Sequence, residues 1–356
     1  MRDIVDGLIA WRAEGLAFAV ATVVRTWSSA PRQPGSAMAV NERGEVLGSV
    51  SGGCVEGAVY AAAEEVMQTR KAQQHTYGVS DGDAFEVGLT CGGTIEVLVQ
   101  PWDALADVDE VLAAVKDGRP VATVSLDNKQ LAVWPTRVAG SLGDPGLDRA
   151  AEQQAAGMLS AGTTGVVHLG AHGEQRLTAV EIFVQSYLPP PRMIVFGAID
   201  FAGAMARIGG FLGYHVTVCD ARPVFATRKR FPSADELVVQ WPHRYLESTE
   251  VDERTVLCVL THDPKFDVPL LEVALRTPAR YIGVMGSRRT HSDRMRRLRE
   301  AGVSEAALAR LSAPIGLDLG ARTPEETAVA IAAEIVATAW GGSGLPLTGL
   351  DAPIHG

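Results

Sequence analysis

The chain has 356 residues, which predicts two domains, because a single domain usually holds about 100 to 200 residues. Hydrophobic residues make up 47% of the chain and charged residues 21%, and this composition excludes a collagen, a mucin and a wholly disordered protein. The 32 basic and 42 acidic residues give a net charge of −10, so neither nucleic acid nor an anionic membrane surface is an expected partner.

Residues 1–188 predict a mixed α/β domain. Apolar residues at helical spacing in residues 4–11 predict a helix, and the β-branched run of residues 16–24 predicts a buried strand. Residues 36–50 predict a hairpin, and residues 54–68, rich in Ala, Glu and Val, predict a helix. Later in this domain, strands are expected near residues 94–100, 121–136 and 164–184, and a helix near residues 147–159.

Three consecutive prolines, Pro189 to Pro191, mark the predicted domain boundary. Each proline lacks an amide donor and restricts the preceding residue to extended geometry, so no regular element is expected to continue through them. Beyond them, five short apolar runs alternate with segments long enough for helices. This alternation is typical of a doubly wound, mainly parallel sheet, so residues 189–356 are predicted to form a Rossmann-like domain.

The last long helix is expected to begin after Thr323. Pro324 suits the first helical position, and Glu326 completes a capping box with Thr323. The helix that follows is apolar and rich in alanine, which favours a homodimer.

The N-terminus and the cysteines both favour the cytoplasm. Asp3, Asp6 and Glu14 interrupt the apolar core that a signal peptide needs, and no apolar run approaches the ~20 residues of a membrane span. Four cysteines without a CxxC pair or zinc spacing predict neither a disulfide scaffold nor a metal site.

One strand-to-helix turn lies where a dinucleotide-binding fold has its phosphate loop. Gly197 fits the first glycine of GxGxxG, but Ile199 replaces the second and Ala202 the third. A β-branched side chain at the second position crowds a pyrophosphate, which argues against NAD(P) binding there. Asp220 ends the next predicted strand, at the usual place of a ribose-binding carboxylate. The sequence therefore favours a nucleotide-type fold with an altered loop.

A second strand-to-helix turn, with the sequence GSRR at residues 286–289, has the chemistry of a phosphate site. Backbone amides, the hydroxyl of Ser287 and the guanidinium groups of Arg288 and Arg289 are suitable donors to an anion. The arginines at positions 294, 296, 297 and 299 are expected to form a solvated basic face of the following helix.

Two loops of the first domain combine a cysteine with glycines. Cys54 ends the sequence SGGC at a predicted helix start, which would expose backbone amides and lower the pKa of the thiol through the helix end. Cys91 stands before two glycines in the sequence LTCGG. Cys219 and Cys258 lie inside apolar strands, where a buried and inert thiol is expected.

No familiar catalytic motif is present, such as GxSxG, HExxH or a Walker loop. The residues alone therefore predict a two-domain α/β protein that binds a phosphorylated, nucleotide-like ligand and contacts it with thiols.

Six motifs in order along the chain resemble the XdhC/CoxI family. They are SSAPRQPGSAM, SGGCVEG, LTCGG, the altered phosphate loop GAIDFA, MGSRRT and PIGLDLGARTPEETAVAIAAEI. Many members of that family have GAGHVG where this chain has GAIDFA. The resemblance extends over nearly the whole chain, from residue 10 to residue 342.

The resemblance implies an accessory factor that binds the molybdenum cofactor, supports its sulfuration and delivers it to a molybdenum hydroxylase apoenzyme, such as that of xanthine or carbon monoxide dehydrogenase. It also implies a molybdopterin cargo with or without a nucleotide, a cysteine desulfurase as a second candidate partner, and a cofactor chaperone rather than a catalyst. The cofactor-binding residues predicted from the motifs are Arg32, Ser51, Gly52, Gly53, Cys54, Cys91, Gly92, Gly93, Gly197, Asp220, Gly286, Ser287, Arg288 and Arg289.

Two alternatives remain open at the level of sequence. One is an NAD(P)-dependent oxidoreductase, against which Ile199 argues. The other is a regulatory or scaffolding protein that recognises only a partner enzyme. Xanthine dehydrogenase activity of the chain itself is not expected, because the sequence contains no iron–sulfur cysteine cluster and no flavin motif.

Overall fold

A computed structural model describes residues 1–28, 30, 32–78, 93–102, 107–261 and 263–350. They divide into two compact units, Met1–Pro189 and Pro190–Leu350. The fold class is α/β, as predicted, with antiparallel sheets in the first unit and a parallel, Rossmann-like sheet in the second. Within the described ranges, no helix has the length and apolar character needed to cross a lipid bilayer.

The described strands of the first unit form two antiparallel sheets. The helices are α1 (Val5–Ala13), α2 (Glu56–Thr69), α3 (Val108–Asp117) and α4 (Pro145–Ala161). The strands are β1 (Phe18–Trp27), β2 (Ala37–Asn41), β3 (Val46–Gly48), β4 (Gln73–Tyr77), β5 (Thr94–Pro101), β6 (Val121–Leu126), β7 (Lys129–Trp134), β8 (Arg137–Ser141), β9 (Gly165–Leu169) and β10 (Val180–Tyr187). The first sheet has the order β3-β2-β1-β5-β4, and the second has the order β8-β7-β6-β10-β9.

The elements predicted for the first unit are present, and the structure adds others. The predicted hairpin consists of β2 and β3, and the helix predicted from Cys54 begins at Glu56. Strand β4, with the sequence QQHTY, has no alternating apolar pattern and forms by pairing with β5. Helix α3 could have been predicted, because its apolar residues at positions 108, 111, 112 and 115 have helical spacing.

Helix α2 packs on the first sheet, and this packing positions the SGGC loop that precedes it. Val59, Ala63 and Val66 are buried against strand residues that include Val23 and Ile95. Because these helix residues are three or four positions apart, they form one apolar stripe that faces the sheet. The loop therefore leads into a helix whose orientation is fixed by buried contacts.

The second unit contains a parallel sheet with the strand order β13-β12-β11-β14-β15-β16. Its strands are β11 (Arg192–Phe196), β12 (His215–Asp220), β13 (Glu236–Val239), β14 (Val256–Val259), β15 (Tyr281–Val284) and β16 (Leu311–Ser312). Its α-helices are α5 (Asp200–Phe211), α6 (Pro242–Ser248), α7 (Pro264–Ala274), α8 (Arg288–Glu300), α9 (Glu305–Leu308) and α10 (Pro324–Trp340). This is the order of a Rossmann fold, with the reversal between β11 and β14.

The parallel arrangement brings three predicted site positions to one edge of this sheet. Gly197 follows β11, Asp220 is the last residue of β12, and Gly286 follows β15. Ligands of such folds bind at the carboxyl ends of the strands, which is the edge where these residues lie.

Helix α10 begins with the predicted capping box. The Thr323 hydroxyl accepts a hydrogen bond from the N–H of Glu326 (3.2 Å), and the Glu326 carboxylate accepts one from the N–H of Thr323 (3.1 Å). Pro324 occupies the first helical position, where its missing N–H is not needed.

Replacing Thr323 by alanine should loosen the first turn of α10. Loss of an N-cap oxygen costs about 1 kcal/mol, so amide exchange in that turn should rise ~5-fold. Hydrogen-exchange mass spectrometry of the peptide that begins at Thr323 measures this change. The variant Thr323→Ser keeps the hydroxyl and should exchange like the unmodified protein. If Thr323→Ala exchanged at the same rate as the unmodified protein, the cap would contribute nothing to stability.

Candidate functional site

The SGGC loop is closed by a carboxylate of its own helix. Glu56, the first residue of α2, accepts hydrogen bonds from the hydroxyl groups of Ser49 (2.6 Å) and Ser51 (2.5 Å). It also accepts hydrogen bonds from the backbone N–H groups of Ser51, Gly52 and Gly53, at 2.8 to 2.9 Å. The φ angles of Gly52 (+87°) and Gly53 (+123°) are ones that other residues rarely adopt. The loop is therefore a nest of N–H groups that holds an internal anion.

These hydrogen bonds control the ionisation of Glu56. Partial burial raises its pKa, but hydrogen bonds from Ser49 and Ser51 outweigh burial and leave the pKa well below its ordinary value. The expectation that this loop presents unused amides is wrong for Gly52 and Gly53, because their N–H groups donate to Glu56. An external anion would have to compete with a charged group that is already bound.

Cys54 is half-buried at the end of this loop. Its N–H donates to the Ser51 hydroxyl oxygen (3.0 Å), and its side chain packs beside the core under α2. Of the other residues predicted for the first unit, Arg32 is exposed and Gly93 is buried. Cys91 and Gly92 lie outside the described residues.

The two strand cysteines of the second unit are buried, as expected. Cys219 and Cys258 have no exposed surface, and burial raises the pKa of each thiol to about 12. At neutral pH such thiols are almost wholly protonated and therefore unreactive.

The Gly197 turn uses its backbone donors internally. The N–H of Gly197 donates to the Cys219 carbonyl (2.9 Å), and the N–H of Ala198 donates to the Asp220 carboxylate (2.8 Å). The N–H of Ile199 donates to the Gly197 carbonyl (3.0 Å), and the Ile199 side chain packs against the core. This turn therefore resembles the SGGC loop, since in both a carboxylate of the protein accepts hydrogen bonds that a phosphate could accept.

The Asp220 carboxylate forms an ion pair with the arginine two residues later in the chain. The Arg222 guanidinium donates to both carboxylate oxygens, at 2.9 and 2.8 Å, and lies over the ring of Phe225. Burial raises the pKa of Asp220, but the hydrogen bonds from Arg222 and from the Ala198 N–H outweigh it and lower that pKa. A ribose hydroxyl at Asp220 would therefore have to displace Arg222.

The turn at residues 286–289 differs from both of these loops. The Ser287 hydroxyl caps α8 by accepting from the Thr290 N–H (3.2 Å). Arg288 and Arg289 are exposed, and neither guanidinium forms an ion pair with another described residue. The structure thus leaves two positive charges uncompensated at the carboxyl end of β15.

The prediction of a solvated arginine face on α8 is correct for three residues and wrong for one. Arg296, Arg297 and Arg299 are exposed and paired with acidic residues of α8 or α9. Arg294 is only 3% exposed, and it donates to the buried carboxylate of Asp267 (2.8 Å). The sequence could have predicted this burial, because position 294 is one helical turn before the apolar Leu298 and therefore lies on the same helix face.

Sequence reasoning also missed Glu56 and Arg222. Glu56 could have been identified, since an acidic residue in the first helical turn after serines and glycines is a common acceptor of loop N–H groups. Arg222 is only two residues from Asp220, so this pairing is local, whereas the hydrogen bond from Ala198 to Asp220 requires β11 and β12 to pair.

Comparisons with known proteins identify similar chains along most of the length. The family described as the XdhC Rossmann domain matches residues 193–335, and the XdhC and CoxI family matches residues 11–78. The chain is 27% identical to a Bacillus subtilis protein whose name describes a probable xanthine dehydrogenase subunit, over 90% of this chain and 92% of that protein. It is 26% identical to the Escherichia coli molybdenum cofactor insertion chaperone PaoD, over 88% of this chain and 81% of that one.

A solved structure has the same fold. It is the crystal structure of a Bacillus halodurans protein described as a xanthine dehydrogenase, with a TM-score of 0.72 and 24% sequence identity. The similarity covers 97% of this chain and 98% of the other.

Iodoacetamide should modify Cys54 well before Cys219 and Cys258. A pKa of about 12 in place of 9 leaves the two buried thiols with a ~1000-fold smaller thiolate fraction near pH 8. Mass spectrometry of peptides from a timed reaction gives the order, and denatured protein, in which all thiols react, is the control. Earlier labelling of Cys219 or Cys258 would contradict the described burial.

Glu56→Gln should open the SGGC loop. Hydrogen bonds to a charged acceptor contribute about 1.5 to 3 kcal/mol, so amide exchange of residues 51–55 should rise ~10-fold or more at pH 7. Because folding lowers the Glu56 pKa, loop protection in the unmodified protein is full above the unfolded value near 4.5 and is lost as pH falls through the lower folded value. Hydrogen exchange at pH 7, corrected for intrinsic rates, measures the first effect, and the decline in protection from pH 4.5 to pH 3 measures the onset of the second.

The matched control is Glu65→Gln, which changes an exposed glutamate of the same helix. It should leave the loop unchanged. Equal protection in Glu56→Gln and Glu65→Gln would show that the carboxylate does not hold the loop.

Proposed function

The chain belongs to the XdhC and CoxI family, and on that premise we propose that it is an accessory protein that binds the molybdenum cofactor for a molybdenum hydroxylase. The similarity to PaoD, named a molybdenum cofactor insertion chaperone, carries this proposal because it extends over 88% of the chain. The similarity includes both the SGGC loop and the Rossmann-like unit, so both candidate sites belong to the compared region.

The local chemistry at Cys54 supports this role. Molybdenum in the cofactor is bound by sulfur, and a thiol is a soft ligand suited to such a centre. Cys54 lies at the end of a loop that Glu56 holds with several hydrogen bonds, and its side chain is half-buried rather than enclosed. A thiol held in this way can reach a bound cofactor without losing much conformational freedom on binding.

We include in the proposal that the protein would hold the cofactor during its sulfuration, with a cysteine desulfurase as a partner, and would then pass it to the hydroxylase apoenzyme. Transfer requires binding that is reversible, which agrees with an accessible thiol loop. The xanthine dehydrogenase name of the Bacillus subtilis relative fits a partner of this kind.

A dinucleotide-dependent oxidoreductase is the less favoured function. NAD(P) would need free N–H groups at the Gly197 turn and an available carboxylate at Asp220. The Ala198 N–H and the Arg222 guanidinium already occupy that carboxylate, and Ile199 stands at the position where backbone approaches a pyrophosphate. We therefore assign no nicotinamide cofactor to this turn.

Replacing both Cys54 and Cys91 by serine should reduce the molybdenum and pterin that copurify with the protein. The proteins are isolated without oxygen from cells that make the cofactor, and molybdenum is measured by mass spectrometry and pterin by fluorescence after oxidation. The control replaces Cys219 and Cys258 by alanine, since both thiols are buried in strands. Unchanged retention in the Cys54→Ser, Cys91→Ser variant would remove the thiols from the mechanism, and absence of pterin from the unmodified protein would contradict the function.

A further inference from the structure

The turn between β15 and α8 has a series of unused backbone donors. Within the described residues, the N–H groups of Gly286, Ser287, Arg288 and Arg289 donate to no acceptor. These four consecutive N–H groups lie at the start of a 13-residue helix, where the helix dipole also favours negative charge.

Two other turns that precede helices use such donors internally. At the SGGC loop, the N–H groups donate to the Glu56 carboxylate, and at the Gly197 turn the Ala198 N–H donates to Asp220. Helices α4, α7 and α10 each have a proline near their first position and a capping side chain. Unlike these turns, the turn at residues 286–289 keeps its four consecutive donors available within the described residues.

A buried arginine lies beneath the turn. Arg294 uses one nitrogen, Nη2, to donate to Asp267 and to the Met285 carbonyl (3.0 Å). Its Nε and Nη1 atoms are buried and have no partner. Nη1 lies 3.4 Å from the point where a Cβ on Gly286 would stand, so the unpaired side of the guanidinium faces the turn.

The charges around the turn are unbalanced. Asp267 accepts hydrogen bonds from both Thr261 and Arg294, so its negative charge is stabilised by two buried donors. Arg288 and Arg289 add two exposed positive charges that have no acidic partner among the described residues. A buried guanidinium with unpaired N–H groups is costly, and a nearby anion would lower that cost.

We propose that the turn formed by Gly286, Ser287, Arg288 and Arg289, with Arg294 beneath it, binds the phosphate group of a phosphate monoester. On the proposed function, which this inference extends, that group is the terminal phosphate of the pterin cofactor. A phosphate has three terminal oxygens and close to two negative charges at neutral pH, and a nest of N–H groups flanked by arginines satisfies both requirements.

Fluorescence titration with a matched pair of ligands tests the site. The first ligand is the oxidised, fluorescent form of the cofactor pterin with its terminal phosphate, and the second is the same pterin after phosphatase treatment. The unmodified protein should bind the phosphorylated pterin ~10-fold to ~100-fold more tightly than the dephosphorylated one, because each charge-assisted contact contributes about one factor of ten.

The double variant Arg288→Ala, Arg289→Ala should lose this preference while keeping its affinity for the dephosphorylated pterin. The matched control Arg296→Ala, Arg297→Ala removes the same number of charges from the same helix, but from guanidinium groups that are already paired with acidic side chains. The control should bind the phosphorylated pterin within ~2-fold of the unmodified protein, because exposed ion pairs contribute little.

The outcomes separate the site from the function. A phosphate preference that survives in the Arg288→Ala, Arg289→Ala variant, or that falls equally in the control, overturns the site and leaves the proposed function standing. AMP is titrated as a second probe. If the protein binds neither pterin but binds AMP with the same dependence on Arg288 and Arg289, the phosphate site is upheld and the proposed function fails.

Discussion

The first N–H groups of a helix have no carbonyl acceptor within that helix, and each must find another partner or remain open to solvent or a ligand. This constraint governs the candidate sites of the protein. Glu56 closes the loop before α2, and Asp220 accepts from the turn before α5. The turn before α8 has no such carboxylate within the described residues. The difference in internal partners, rather than in glycine content, separates a structural loop from a candidate ligand site.

Internal carboxylates have a functional consequence as well as a structural one. A carboxylate in a nest of N–H groups mimics a bound anion, so the loop keeps one shape in the absence of a ligand. For the SGGC loop this means that the backbone at Cys54 is held in place by the protein itself. For the Gly197 turn it means that the Ala198 N–H and the Arg222 guanidinium bind the protein's own Asp220 carboxylate.

The buried pair of Arg294 and Asp267 places a positive charge near the carboxyl edge of the sheet in the second unit, and this burial costs free energy. Both side chains are buried, and desolvating two charges costs several kcal/mol that one hydrogen bond does not fully offset. The additional bonds from Thr261 to Asp267 and from Arg294 to the Met285 carbonyl stabilise the pair. A buried charge that remains only partly paired is more readily explained by a role toward an anion than by a contribution to stability.

The sequence by itself determined the order and type of most elements, because apolar periodicity and capping residues act over a few positions. It located the Rossmann-like sheet, the capping box at Thr323 and the buried strand cysteines. It could also have identified Glu56, whose partners lie within seven residues. Only the tertiary structure decided the long-range hydrogen bonds, because Asp220 reaches Ala198 through strand pairing and Arg294 reaches Asp267 through the packing of α8 on α7. Such acceptors are distant in sequence, and no local pattern encodes which element ends become neighbours.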